Sequence, residues 1–124
     1  MKKDFKIYIC RHCGNIIVKL EDSGVPVVCC GDKMELLEPG IVDAAVEKHV
    51  PVVEVNGDIV TVKIGEVPHP MTPEHHISWI ILVTETGHEI KYLDHTKAAE
   101  ATFKTDSKVL EVYEYCNLHG LWKK

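Results

Sequence analysis

Short apolar runs separated by cysteine, glycine and proline make up the first part of the chain. They cover residues 5–9, 16–20 and 25–28, and each predicts a short β-strand. The turn sequence Glu38-Pro39-Gly40 follows, and proline and glycine both interrupt regular structure. This change of pattern predicts a boundary between a small first domain, residues 1–37, and a second domain, residues 38–124.

Beyond the boundary, apolar and polar residues alternate with a period near two, as half-buried strands require. Residues 52–55 and 59–64 flank Asn56-Gly57, a sequence typical of tight hairpin turns. Residues 77–84 are rich in Trp and β-branched residues, which predicts a central strand buried on both faces.

The rest of the second domain follows the same pattern. Strands are predicted at residues 88–93, 101–104 and 109–115, and residues 41–49 are predicted to form a helical turn or an irregular lead-in. Many short strands joined by polar turns are typical of an antiparallel sandwich. We therefore expect a mainly β protein whose second domain is an immunoglobulin-like antiparallel β-sandwich.

Composition and charge narrow the classes of function. The chain of 124 residues has a formal net charge of −5 and scattered Lys and Arg residues, which argues against a nucleic-acid partner. It has no apolar run of about 20 residues, as a membrane span requires, and no apolar signal-peptide core. Five cysteines, an odd number, and eight histidines favour a cytoplasmic, reduced protein that binds transition metals.

Four cysteines form the first candidate metal site. Cys10 and Cys13 have the two-residue spacing that lets both sulfurs bind one ion, and Cys29 and Cys30 follow as an adjacent pair. Four thiolates suit a tetrahedral site for zinc or iron. A domain of about 37 residues is too small to be held by apolar burial alone, so a metal would stabilise it. A structural zinc that only folds the segment is an alternative on these residues.

The second candidate site combines one late cysteine with histidines at strand ends. Cys116 and His119 lie in the sequence Cys-Asn-Leu-His-Gly, whereas His49, His69 and His75 lie in turn-rich stretches beside predicted strands. One edge of a sandwich could gather these side chains around one metal. Each histidine alone is weak evidence for a metal ligand, because most single histidines are surface residues or core residues whose hydrogen bonds are satisfied.

Taken together, the motifs resemble the desulfoferrodoxin family of two-iron superoxide reductases. The resemblance rests on Cys-x-x-Cys and Cys-Cys in the first domain and on Glu-Lys-His-x-Pro, His-Pro-Met and Cys-Asn-x-His-Gly in the second. It covers essentially the whole chain, with a desulforedoxin-like iron domain in front of the sandwich, and it implies two irons per chain. The first iron would be bound by Cys10, Cys13, Cys29 and Cys30. The second would be bound by four histidines in a plane and one axial thiolate: His49, His69, His75, His119 and Cys116.

The same resemblance implies one-electron reduction of superoxide to hydrogen peroxide at the second iron. Lys48 would guide the anion and organise protons, and Glu47 would occupy the open position on the oxidised metal. An external donor such as rubredoxin and a homodimer are also implied. The remaining histidines are expected not to be ligands: His12, His76, His88 and His95.

Other functions compete with this interpretation. An electron carrier would use both irons without binding a substrate, and a zinc-folded binding module would use the sandwich as an interaction surface. A superoxide dismutase is less favoured, because it must oxidise superoxide as well as reduce it.

Overall fold

The computed structural model of the chain describes residues 5–41 and 49–124, and these residues form twelve strands and no helix. The contacts divide the chain into two compact units, Met1–Glu38 and Pro39–Lys124. The first unit contains β1 (Ile7–Ile9), β2 (Ile16–Val18), β3 (Val28–Cys29), β4 (Asp32–Lys33) and β5 (Glu35–Leu36). The second contains β6 (Pro51–Asn56), β7 (Ile59–Ile64), β8 (Ile77–Thr84), β9 (His88–Tyr92), β10 (Glu100–Lys104), β11 (Val109–Cys116) and β12 (Gly120–Lys123).

The first unit is built from two small antiparallel sheets. One has the strand order β2-β1-β5, and the other pairs β3 with β4. Its few buried apolar side chains include Ile7 and Ile9 on β1, joined by Leu37, whose amide donates to the carbonyl of Ile7 at 2.8 Å. Such a small core contributes little stability, so the unit needs a further source of it.

The second unit is an antiparallel sandwich. Its two sheets have the strand orders β10-β7-β6 and β12-β11-β8-β9. Side chains from both sheets meet in one buried cluster, which contains Val62 from β7, Leu82 from β8, Phe103 from β10 and Val112 from β11. This shared core holds the ends of the strands, and the loops that join them, in fixed positions.

The mainly β class is confirmed, and so are the hairpin at Asn56-Gly57 and the inner strand β8, whose bounds are those predicted. Three strands were not predicted: β4, β5 and β12. Strands β4 and β5 contain two residues each, too few to show a period. The lead-in predicted at residues 41–49 lies mostly outside the described residues, and the immunoglobulin-like topology stays a prediction.

Gly40, predicted as a turn residue, also pairs with β12. It forms an isolated parallel bridge with Trp122, its amide donates to the carbonyl of Leu121 at 2.9 Å, and its carbonyl accepts from the amide of Lys123 at 2.9 Å. The start of the second unit is thereby attached to β12. Within residues 5–41 and 49–124 there is no helix with the length and hydrophobicity of a membrane span.

Candidate metal centres

The four cysteines of the first unit lie together. Their sulfur atoms are all within 4.8 Å of one another, and we call the group Cys10, Cys13, Cys29 and Cys30 the thiol cluster. Strand β1 ends just before Cys10, and the chain turns back sharply, with the amide of Gly14 donating to the carbonyl of Cys10 at 2.8 Å. Gly14 has a φ of +85°, a left-handed conformation that side chains disfavour and glycine adopts freely.

The adjacent cysteines Cys29 and Cys30 require an unusual backbone conformation. Cys30 has a φ of 52°, in the left-handed region where residues other than glycine are uncommon. This conformation lies in the turn between β3 and β4, and it brings the sulfurs of both Cys29 and Cys30 into the cluster. Two neighbouring side chains of an extended strand would point to opposite faces instead.

Three thiols of the cluster, those of Cys10, Cys29 and Cys30, have pKa values shifted in different directions. The pKa of Cys10 is lowered to about 6, chiefly because the backbone amide of Cys13 donates to its sulfur. The pKa of Cys30 is raised to about 12, chiefly by the hydrogen bond between its thiol and the sulfur of Cys13. The pKa of Cys29 is also raised, mainly by its hydrogen bond with Cys10. In the metal-free protein the thiol of Cys10 therefore ionises before those of Cys29 and Cys30, and a metal ion would displace protons from Cys29 and Cys30.

The second cluster collects five side chains from distant parts of the second unit. His49 precedes β6, His69 and His75 lie between β7 and β8, Cys116 ends β11, and His119 lies in the turn before β12. Pro51 pairs with Ile64 in one sheet and Cys116 with Ile77 in the other, so within each sheet the strand ends next to these residues lie side by side. One donor atom from each of the five lies within 4.8 Å of the others. We call this group the histidine–cysteine cluster.

The four imidazole rings form a closed cycle. Ring centroids are separated by 4.8 Å from His49 to His69, 4.8 Å from His69 to His75, 5.1 Å from His75 to His119 and 4.9 Å from His119 back to His49. Neighbouring rings meet edge to face, at interplanar angles of 64° to 82°. The rings therefore surround one central point.

Ring nitrogens face one another across this centre. Nε2 of His49 lies 3.1 Å from Nε2 of His69 and 3.2 Å from Nδ1 of His119, and Sγ of Cys116 lies 3.7 Å from Nδ1 of His119. Nδ1 of His69 lies 2.7 Å from the carbonyl oxygen of Pro70. Because a carbonyl only accepts, Nδ1 of His69 carries the proton, and Nε2 directs a lone pair into the cluster.

The donor set fits a transition metal. His49, His69 and Cys116 are buried, with exposed fractions of 2%, 6% and 0%. Neutral imidazoles and a thiolate are ligands for iron, zinc or copper rather than for magnesium or calcium. The structure thus brings together every predicted ligand of the second iron. Glu47 and Lys48 lie outside the described residues.

The other four histidines belong to neither cluster. His76 is adjacent to His75, yet Nδ1 of His76 lies 2.9 Å from the carbonyl oxygen of Thr72. The backbone amide of His75 itself is held by the hydroxyl of Thr72 at 3.0 Å. These bonds fix the loop in a form that presents His75 to the cluster.

Asn117 was missed by the sequence analysis, although it lies inside the Cys-Asn-Leu-His-Gly motif. Its side-chain oxygen accepts from the amide of His76 at 2.8 Å, and its side-chain NH₂ donates to the carbonyl of Glu74 at 2.9 Å. Its backbone amide donates to the carbonyl of His76 at 3.1 Å. Asn117 therefore ties the loop that carries His75 to the turn that carries Cys116 and His119.

We expect Asn117→Asp to weaken metal binding at the histidine–cysteine cluster by about 10-fold, the lower end of the usual effect of residues that support metal ligands. The substituted carboxylate keeps the acceptor for His76 but replaces the donor to Glu74 with a repelling oxygen. Competition with a chelator measures the affinity. Asn56→Asp, which adds the same charge at the β6–β7 turn, is the control, and equal affinity in both variants would contradict the role of Asn117.

Comparisons with known proteins agree over both units. The sequence model of the desulfoferrodoxin N-terminal domain matches residues 2–37, and that of desulfoferrodoxin matches residues 41–124. Desulfoferrodoxin of Nitratidesulfovibrio vulgaris is 44% identical over 99% of this chain and 98% of its own. A protein of Pyrococcus horikoshii named superoxide reductase is 42% identical over 62% of this chain and 84% of its own. The crystal structure of the superoxide reductase from Treponema pallidum superposes with a TM-score of 0.85, at 39% identity, over 99% of each chain.

Proposed function

Because this chain belongs to the desulfoferrodoxin family, we propose that it is a superoxide reductase. It reduces superoxide to hydrogen peroxide, a reaction that takes up one electron and two protons for each superoxide. The histidine–cysteine cluster carries the proposal, since four imidazoles in a closed cycle and one buried thiol lie around a single point.

Each cluster would hold one iron. The thiol cluster would supply four sulfurs to the first, and the histidine–cysteine cluster would supply four ring nitrogens and the sulfur of Cys116 to the second. Iron bound at the second cluster would supply the electron that superoxide accepts. The thiolate of Cys116 would donate charge to that metal, and its complete burial keeps water from the sulfur.

The charge at the second cluster favours an anionic substrate. Four neutral imidazoles and one thiolate around a divalent cation leave a net charge near +1. The whole chain carries −5, but the local field governs the last part of the approach. Superoxide is a small anion and is attracted to this point.

Lys48 and Glu47 directly precede His49 in the sequence, and both take part in the proposed reaction. The ammonium group of Lys48 attracts the anion and holds a proton at Nζ. Glu47 would offer a carboxylate oxygen to the oxidised metal, since a hard ligand suits the higher charge. The Glu-Lys-His sequence motif supports both roles.

We expect Lys48→Ile to slow the reaction with superoxide about 10-fold and to flatten its dependence on ionic strength, because a steering charge is lost. Iron content should not change. Stopped-flow or pulse radiolysis measures the second-order rate constant. Lys63→Ile removes an equal charge from an exposed position on β7 and should leave the rate unchanged. If Lys48→Ile reacts as fast as the control, Lys48 has no part in the mechanism.

The proposed enzyme also needs an electron donor and a partner chain. The oxidised enzyme is re-reduced by an external donor such as rubredoxin. The chain forms a homodimer, and the exposed apolar side chains Leu20, Val25 and Val28 of the first unit support an interface there. Five cysteines, an odd number, favour a reducing, cytoplasmic compartment.

The test of function is the yield of hydrogen peroxide. Iron-loaded protein, kept reduced by a chemical donor, should form one hydrogen peroxide for each superoxide consumed and release no oxygen. Half that yield, with oxygen release, would indicate a dismutase instead. An electron carrier would consume no superoxide, and the spectrum of its second iron would not respond to azide or cyanide. A colourless, zinc-loaded protein that takes up no iron would indicate the zinc-folded binding module.

A further inference from the structure

We propose that Trp122 is a positioning residue of the histidine–cysteine cluster. Its indole fixes the ring plane of His49 and the backbone of His119, and residue 40 is glycine because the indole occupies the space of a side chain there. The inference rests on the proposed function only in treating His49 and His119 as metal ligands.

The indole of Trp122 lies flat against a ligand ring. The centroids of the His49 and Trp122 rings are 4.7 Å apart, and their planes are inclined by only 14°. The outer torsion of a histidine side chain has a broad, weakly restricted energy profile. A large ring stacked on one face restricts that rotation, and so directs Nε2 of His49 towards the nitrogens of His69 and His119.

The polar end of the same indole holds a second ligand. Nε1–H of Trp122 donates to the backbone carbonyl of His119 at 3.1 Å. His119 lies in the tight turn between Cys116 and Gly120, so this bond fixes the turn from the side of β12. One side chain therefore constrains two residues that are 70 positions apart in the sequence and whose ring nitrogens meet at 3.2 Å.

The backbone of Gly40 lies close against the indole of Trp122. A Cβ atom on Gly40 would lie 2.5 Å from Cε3 and 2.6 Å from Cζ3 of Trp122, distances that real Cβ atoms do not show. The backbone of Gly40 is bonded to both neighbours of Trp122, Leu121 and Lys123, so it cannot move away freely. The indole is thus confined between the backbone of Gly40 and the ring of His49.

Core packing does not account for Trp122. Among the described residues, the buried apolar cluster of the sandwich does not include it, and its side chain is only partly buried. The side chain of Trp122 instead stacks on His49 and donates to His119, and its backbone forms the bridge with Gly40. This distribution fits a residue whose role is to orient ligands.

Three variants separate the parts of this arrangement. Trp122→Phe keeps an aromatic ring over His49 and loses the bond to His119, whereas Trp122→Leu loses both. Gly40→Ala keeps Trp122 and displaces it. Trp79→Leu is the matched control, since Trp79 is also partly exposed and stacked on an aromatic ring, that of Tyr115, with centroids 5.5 Å apart.

The measurement is the affinity of the full-length chain for Fe²⁺, set anaerobically with a chelator. After oxidation, the absorption of the one-thiolate site is read separately from that of the four-thiolate site. We expect binding at the second cluster to weaken by about 10- to 100-fold in Trp122→Leu and in Gly40→Ala, and less in Trp122→Phe. The absorption band of the Cys116 thiolate should also shift in Trp122→Leu and return towards its original position in Trp122→Phe. Trp79→Leu should match the unmodified chain.

The outcomes that would overturn the proposal are distinct. Unchanged affinity and spectrum in Trp122→Leu, or an equal loss in Trp79→Leu, would show that Trp122 does not position ligands. If Trp122→Leu does not fold, unchanged binding in both Trp122→Phe and Gly40→Ala would overturn it equally. Failure of the unmodified chain to bind iron at the second cluster would overturn the proposed function as well. Normal reduction of superoxide by a Trp122→Leu variant with normal affinity would overturn the positioning role alone.

Discussion

Replacing His119 by alanine is expected to remove the second iron and with it all reduction of superoxide. Nδ1 of His119 lies 3.2 Å from Nε2 of His49 and 3.7 Å from Sγ of Cys116, so its loss breaks the ring cycle and removes the neighbour of the thiol. Iron should fall from two atoms per chain to one, while the spectrum of the four-thiolate site is kept. Metal analysis and the visible spectrum measure both.

His95→Ala provides the control for this change. His95 is exposed and belongs to neither cluster, so its replacement should leave both irons and the activity in place. Retention of the full second-site spectrum in His119→Ala would show that the ligand set has been assigned wrongly. Loss of both irons would instead show that the variant no longer folds, and a milder His119→Gln would then decide the assignment.

Cys13→Ser is expected to have the opposite result: loss of the first iron, with the second iron and substantial activity retained. The sulfur of Cys13 lies 3.6 Å from that of Cys29, in a unit with few buried apolar side chains. Removing one ligand from such a unit removes the metal that offsets the entropy of folding it, so residues 1–37 should become sensitive to proteases. Residues 38–124, which have a sandwich core of their own, should not.

Cys116→Ser is the reciprocal variant. It should lose the second iron and the activity but keep the first iron and protease resistance in residues 1–37. Limited proteolysis followed by mass measurement shows which part is cleaved in each variant. If Cys13→Ser also lost the second iron, the two parts of the chain would not fold independently, and the predicted domain division would fail.

The sequence predicted what depends on local pattern. Alternation and Asn56-Gly57 gave the β6–β7 hairpin, and the dense apolar run gave β8, since a hydrophobic period is a local property. The Cys-x-x-Cys and Cys-Asn-x-His-Gly motifs could be recognised for the same reason, since each lies within a few consecutive residues. The grouping of His49, His69 and His75 came from family resemblance, because no local pattern joins three separate loops.

The supporting residues could not be predicted for the same physical reason. In the sequence Trp122 is an apolar residue outside every predicted strand, and its contact with His49 depends on how β12 lies beside Gly40. Gly40 itself was interpreted as a turn residue, whereas the structure shows a glycine required by a neighbouring indole. Asn117 was visible inside its motif, but the amide and carbonyl groups that it binds, at His76 and Glu74, lie more than 40 positions away.

The two clusters also differ in how much chain they enclose. The thiol cluster closes between Cys10 and Cys30, whereas the histidine–cysteine cluster joins His49 to His119, a separation of 70 residues. A metal that joins distant residues restricts the unfolded chain as a long cross-link does, and the entropy removed grows with the loop enclosed. During synthesis from the N-terminus, the first metal could be bound while most of the sandwich is still unmade. The second has its full ligand set only after β11 and the turn beyond it have emerged, so the two irons would enter the protein in sequence.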